Sequence, residues 1–255
     1  MPETVLACDG VTKSYGGVLA VDSVTLEVPR RGLSGLCGFN GAGKSTLFNL
    51  LAGSVRADAG RVRIDERDAT GWSAMRRARS GVARTWQTVR LAPGRTALDN
   101  VAAAALRDPG QSMIGALWRP QAAPARERAW AALETLGIGH LGPQLVDGLT
   151  LEAQRLTELA RALVSEPKVL LADEPASGLS ATQRTVLAEA LTAISKNRAV
   201  VVVEHDLDML TSISGHVWAM VEGRLAYSGD VATFRSSAVY AGLRGIQQAE
   251  SPGVP

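Results

Sequence analysis

Residues 38–46 read Gly-Phe-Asn-Gly-Ala-Gly-Lys-Ser-Thr, and no other run constrains the fold of this chain as much. It completes the pattern G-x-x-x-x-G-K-[ST], whose fixed positions each have a mechanical reason. Gly38, Gly41 and Gly43 lack a Cβ, so the backbone can curl with its N–H groups facing phosphate oxygens. Asn40, Ala42 and Thr46 complete the same cradle. Lys44 places a point charge on the β- and γ-phosphates, and Ser45 offers a hydroxyl to Mg2+. Before the loop, Leu33–Cys37 is a short, mostly apolar strand candidate. After it, Ser45–Ala52 reads as a helix with Leu47, Leu50 and Leu51 facing inward. The start of that helix adds the positive end of its dipole. Strand, loop and helix in this order predict a site for a nucleoside triphosphate.

At 255 residues the chain has room for one large α/β domain or two small ones, and a hydrophobic content of 46% supports a real core. A net charge of +2 is too small to imply nucleic acid or an anionic membrane as a partner. Cys8 and Cys37 lie far apart with no metal-ligand spacing, which fits a reduced cytosolic setting. The opening Met-Pro-Glu-Thr has no basic stretch followed by an apolar run, so no export signal is expected. No apolar stretch approaches the ~20 residues that span a bilayer. A role in a membrane process would therefore require docking on the helices of other subunits.

The first third alternates strand-like and turn-like segments, with Val5–Cys8, Val18–Val28 and Arg61–Ile64 as strands of a mostly antiparallel patch. From Ala97 to Leu163 the sequence turns helical: Ala129, Leu133 and Leu136 recur at helical spacing, with Arg126, Glu127 and Glu134 on other faces. Breaks at Pro109-Gly110, Pro120 and Gly137–Gly142 cut this region into several helices. Strand signals return at Val169–Ala172 and Ala199–Val203, separated by the helical stretch Ala181–Ile194. Continuous apolar runs flanked by helices are the pattern of buried parallel strands. The polar, proline-bearing tail from Gln247 to Pro255 reads as a loose end.

The first of those late strands ends in Asp173-Glu174. A strand end beside a phosphate loop is where Mg2+ is held, which is the place of Asp173. Glu174, one residue on, can orient and polarise an attacking water. The next strand ends in Glu204-His205-Asp206, so His205 leaves a core strand at the edge where open α/β sheets bind ligands. There it can sense the γ-phosphate. His140 and His216 lack such a placement and read as loop or surface residues.

Taken together, residues 4–245 resemble the ATP-binding subunit of an ABC transporter. The motifs run in that family's order: Tyr15, the phosphate loop, Gln87, a signature region, Asp173-Glu174, the segment Ser177–Ser180 and His205. The resemblance implies an α/β P-loop fold with a RecA-like core, an antiparallel β subdomain and a helical subdomain inserted at about residues 95–163. It makes residues 1–245 a single ATP-binding domain and residues 246–255 a loose tail. It implies ATP and Mg2+ as cofactors. Tyr15 would stack on the adenine ring, the alternative being an aromatic packed in the β patch. Gln87 would reach the Mg2+ and the attacking water and relay occupancy to the helical subdomain.

The stretch Val82–Gly94, the run Glu204–Asp208 and the closing Val239–Gly245 are similar to importers of the branched-chain amino acid type, a group that includes urea and amide importers. Such systems pair two different ATPases beneath two permease subunits, at the cytoplasmic face of the membrane, fed by an extracytoplasmic binding protein. The resemblance leaves two alternatives open. One is a soluble, non-transport ABC ATPase, and the other is a largely non-hydrolysing regulatory subunit.

The signature region departs from the family pattern, which is Leu-Ser-Gly-Gly-Gln or Leu-Ser-Tyr-Gly-Gln. Counting back from Leu159-Ala160-Arg161-Ala162-Leu163 gives Leu149-Thr150-Leu151-Glu152-Ala153, with Glu152 at the position of the glycine. A carboxylate in the first helical turn can take up the open N–H groups itself. It also opposes a nucleotide: a like unit charge ~5 Å away costs roughly 3 kcal/mol at an effective dielectric near 20. Phe39 stands where the family has proline, and Ser180 where it has Asp or Asn.

Overall fold

The computed structural model describes residues 4–86, 88–105 and 122–250. Among these, two sheets and several helices share the chain. The first sheet is antiparallel, in the order β2-β1-β4-β5, with β1 Thr4–Tyr15, β2 Val18–Pro29, β4 Ala59–Ile64 and β5 Arg67–Asp68. The second runs β10-β9-β3-β8-β7-β6, with β3 Gly32–Gly38, β6 Val82–Arg84, β7 Val169–Asp173, β8 Ala199–Val203, β9 His216–Val221 and β10 Arg224–Asp230. All neighbours in this sheet are parallel except the β9–β10 pair at one edge.

Every residue of β7 and β8 is buried, and their side chains divide by the strand period of two. Val169, Leu171, Ala199, Val201 and Val203 enter a core shared with the antiparallel sheet and with α1, Lys44–Ala52. Leu170, Ala172, Val200 and Val202 enter a second core on the opposite face. That core joins the helices α3 Ala97–Ala105, α4 Ala122–Thr135, α5 Leu151–Leu163 and α6 Ala181–Ser195. A strand covered on both faces needs no polar alternation, which is why both runs were legible as uninterrupted apolar sequence. Within α4, Ala129 and Leu133 are buried, as is Leu136 just beyond it, while Arg126, Glu127 and Glu134 are exposed, as their spacing predicts. Two short 3-10 turns, Gly139–Leu141 and Val146–Gly148, connect α4 to α5. The breaks expected at Pro109-Gly110 and Pro120 lie outside the described residues.

Two strands were not anticipated, and two expectations need correction. Strand β9 holds the apolar run Val217–Val221 and β10 alternates between exposed and half-buried residues, and the structure places both in the main sheet. His216 opens β9 rather than lying in a loop. It is half-buried, its ring 4.9 Å from that of Trp218 and its Nε2 3.2 Å from Ser228 Oγ. The chain beyond residue 246 is not a loose end throughout: α9, Ala238–Glu250, continues to Glu250. Its last residues, Ile-Gln-Gln-Ala-Glu, are adequate helix formers, and the next proline comes only at Pro252. Short helices α7, Leu207–Ile213, and α8, Val231–Arg235, complete the C-terminal third. A third cluster there joins Cys37, Leu207, Leu210, Phe234 and Leu243, with Phe39 packed against it from the phosphate loop.

The helix that follows the phosphate loop is anchored from behind by α2, Ala74–Arg79. Arg77, only 2% exposed, donates through Nη1 to the carbonyls of Leu50 and Leu51 and through Nη2 to those of Ala69 and Thr70. A buried cation at the C-terminal end of α1 satisfies carbonyls that the helix leaves open and meets the negative end of its dipole. Burial alone pushes the guanidinium pKa down to about 10. Cys8 and Cys37 are both buried free thiols, each pushed up to about 12, chiefly by burial.

Candidate functional site

Because β3, β8 and β7 are parallel neighbours, their C-terminal ends open on one crevice: Val203 pairs with Leu36 on one side and with Asp173 on the other. The phosphate loop, the Asp-Glu pair and His205 all leave the sheet at this edge. Within the loop, Gly43 has a φ of +98°, and a Cβ there would stand 2.1 Å from the carbonyl oxygen of Ala20. No other residue fits. Gly41, with a φ of +79°, has open space around it, so its left-handed backbone alone favours glycine. Asn40 and Ser45 are exposed, Thr46 is half-buried, and Ala42 and Lys44 are buried. No side chain caps the start of α1 and no acidic residue stands in its first turn, so its N–H donors are left for an anion.

Lys44 Nζ donates to the carbonyls of Gly38 at 2.9 Å and Phe39 at 2.8 Å. Burial draws its pKa below the ordinary lysine value, and the charges of Glu174, Cys37 and Asp173 pull the other way. The loop lysine and the two carboxylates thus share one electrostatic neighbourhood. Glu174 follows β7 with a φ of +46°, a left-handed backbone that is strained in a residue with a side chain. Its N–H donates to the carbonyl of Val203 at 3.0 Å, and its Oε1 lies 2.5 Å from Nε2 of His205. Two residues chosen from separate strand ends are therefore in direct contact. A carboxylate held by an imidazole beside a phosphate cradle has the chemistry to orient and polarise a water.

Tyr15 ends β1 at the tip of the β1–β2 hairpin and is 47% exposed, with the Lys13 ammonium 5.4 Å from its ring centre. A ring exposed to that extent is not packed in the β patch and is free to stack on a ligand. Gln87 lies outside the described residues. At the start of α5, Leu149 and Ala153 are buried, Leu151 is exposed and Glu152 is half-buried. Thr150, not Glu152, takes the helix cap, its hydroxyl accepting from the Ala153 N–H at 3.3 Å. The cap position places a short hydroxyl against the third N–H of the helix, which a carboxylate two residues further on is not placed to replace. Ser180 likewise caps α6 in a reciprocal box with Gln183.

Sequence reasoning missed two groups here. Arg84, ending β6, donates through Nη2 to Asp173 Oδ2 at 2.8 Å. Glu204, 4% exposed, accepts from the Ala176 N–H at 2.8 Å and so ties the segment after Glu174 to the end of β8. Burial, with the neighbouring charges of Glu174 and Asp206, raises its pKa to about 7. Both lie in stretches noted for their likeness, but nothing there gave either a role; the strand register brings them to the crevice.

The phosphate loop, the Asp-Glu strand end and the histidine in contact with that glutamate all lie on one sheet edge. Residues 21–177 match the family model described as ABC transporter. The chain belongs to the ABC transporter family. It is 31% identical over 244 residues to the high-affinity branched-chain amino acid transport ATP-binding protein LivG of Salmonella typhimurium, covering 93% of this chain and 96% of LivG. BraF of Pseudomonas aeruginosa, named for the same transport, is 33% identical over 230 residues, covering 88% of this chain and 90% of BraF. Among solved structures, the ADP conformation of MJ1267, an ATP-binding cassette of an ABC transporter, superposes with a TM-score of 0.83 at 27% identity, covering 94% of this chain and 98% of that one.

As a member of this family the chain is an ATPase with an ABC cassette fold. The uncapped start of α1, the left-handed glycines and Lys44 fit the phosphates of ATP. The oxygen donors Asp173 and Ser45 fit Mg2+, a hard cation that takes few protein ligands and keeps waters and phosphate oxygens. Among the described residues no cluster of three or more His, Cys, Asp and Glu could hold a metal by itself, and no helix of this ABC ATPase is long and apolar enough to cross a membrane.

Proposed function

We propose that this ABC ATPase energises an importer of branched-chain amino acids or a related small solute. It would act on permease subunits at the cytoplasmic face of the membrane, fed by a substrate-binding protein. The cargo class rests on relatives named for that transport. The hydrolytic role rests on one observation above all, the 2.5 Å contact between Glu174 and His205 at the mouth of the phosphate loop. In this reading residues 1–245 form a single cassette, with residues of about 95–163 as its helical lobe.

Tyr15 stacks on the adenine. Lys44 leaves the Gly38 and Phe39 carbonyls for the β- and γ-phosphates, where the N–H groups from Gly38 to Thr46 surround the same oxygens. Asp173, Ser45 and Gln87 would hold the Mg2+, which would supply charge neutralisation on the phosphates. Glu174 polarises the attacking water, and His205 fixes the carboxylate and reads the γ-phosphate.

The start of α5 supports a second, different ATP-binding subunit as partner. Family members pair head to tail, so each ATP would lie between one chain's phosphate loop and the other's signature. Thr150 already occupies the Ala153 N–H, and Glu152 adds a negative charge to the first turn of the same helix. Two copies of this chain would thus make two poor sites. With an intact partner signature, this chain's phosphate loop, Glu174 and His205 make one competent site.

The purified chain alone is expected to turn over ATP about tenfold or more slowly than the same chain mixed with its cognate second ATPase. Comparable turnover by the lone chain would rule out the mixed pair. In the mixed pair, Glu152→Gly is expected to raise turnover by the weak site. Lower turnover in a folded protein would instead give Glu152 a positive role. Co-purification of the neighbouring permease and binding protein checks the importer reading.

A further inference from the structure

Arg84 stands beside the carboxylate of Asp173 at the edge of the site. Its side chain, 9% exposed, ends the edge strand β6 and reaches across to the end of β7 and to α1. Nη2 donates to Asp173 Oδ2 at 2.8 Å, and Nη1 donates to Asn49 Oδ1 at 2.5 Å. One face of the guanidinium lies 4.6 Å from the ring of Trp86, whose ring is also 4.7 Å from the guanidinium of Arg90. The backbone of that segment is pinned to α5. Arg155 Nη1 donates to the Trp86 carbonyl at 3.2 Å, and the Arg90 N–H donates to Glu158 at 3.4 Å. Arg161 also donates to the Arg90 carbonyl. Arg84 is therefore fixed from three sides rather than free to swing into solvent.

An arginine cannot shed its charge at any working pH. A carboxylate already paired with it is a weaker ligand for a second cation, but one held in a single orientation. We propose that Arg84 is a positioning residue: it is the resident counter-ion of Asp173, aligning the carboxylate for Mg2+ while raising the Mg2+ concentration needed to fill the site. This rests on the ATPase reading above and adds to it a residue that sets the magnesium requirement.

The experiment titrates Mg2+ into the full chain with a fluorescent ATP analogue, for the wild type, Arg84→Met and Arg84→Lys, and follows melting with and without Mg2+ and ATP. Arg84→Met is expected to lower the half-saturating Mg2+ concentration about tenfold, since a full positive charge beside the ligand is gone. It should melt at a lower temperature alone, yet gain more on adding Mg2+ and ATP than the wild type does, because tighter binding to the folded state stabilises more. Arg84→Lys keeps the charge and should stay close to the wild-type Mg2+ requirement. Should Arg84→Met fail to fold, Arg84→Gln serves the same comparison.

An unchanged or higher Mg2+ requirement in a folded Met or Gln variant overturns the proposal. So does a Lys variant that shifts as far as the Met one. A wild type that binds the nucleotide without any dependence on Mg2+ would sink the ATPase reading itself, which is a separate result.

Discussion

The Glu174→Gln protein is expected to lose ATP turnover by roughly 100-fold or more while binding ATP within a few fold of the wild type. The substitution keeps the size of the side chain and its place after β7, so the left-handed backbone at φ +46° is asked of a similar residue. What it removes is the negative charge that draws a proton from the attacking water. The neighbouring imidazole, 2.5 Å from the carboxylate, gains no such role by itself. Single-turnover hydrolysis measured beside equilibrium binding separates the two effects. Undiminished turnover would mean that another group serves as the base, and negligible turnover by the wild type itself would favour a site that merely holds nucleotide. Equal loss of binding and turnover would mean that Glu174 is structural.

The second large effect concerns stability rather than chemistry. Arg77→Met is expected to lower the free energy of unfolding by about 3 kcal/mol, because hydrogen bonds from a charged donor are each worth roughly 1.5–3 kcal/mol and buried carbonyls are left unmet. Methionine retains much of the apolar stem, so the loss reports the guanidinium and not a cavity. Leu50 and Leu51 lose their partner at the end of the helix whose other end carries the phosphate loop. A weaker α1 should therefore also weaken ATP binding. Urea titration of both proteins measures the first effect. A change below about 1 kcal/mol would show that the carbonyls of α1 find other donors.

The contrast between these two residues explains what was legible in the sequence. Glu174 could be read because it ends Val169–Asp173, a strand buried on both faces and therefore written as continuous apolar sequence. The phosphate loop could be read because its glycines answer to backbone geometry, as the Ala20 carbonyl beside Gly43 shows. Helical periodicity likewise gave Ala129, Leu133 and Leu136 their inward face. Arg77 and Arg84 could not be read. An arginine by itself reads as surface, and both are buried by partners distant in sequence: the carbonyls ending α1 for one, Asp173 for the other.

The edge strand β10 was missed for a related reason. Its residues alternate between exposed and half-buried, so no hydrophobic stripe marks it, and only pairing with β9 defines it. At the signature position the residues were legible but their geometry was not. Whether Thr150 or Glu152 took the open N–H groups depended on where α5 begins, at Leu151.

Calorimetry of ATP binding to the wild type and to Lys44→Ala, each with and without Mg2+, tests the central claim most directly. A nucleotide held by the loop at residues 38–46 should give Mg2+-dependent heat with the wild type and little or none with the variant. Binding left intact by Lys44→Ala, or no binding by a folded wild type, would contradict it.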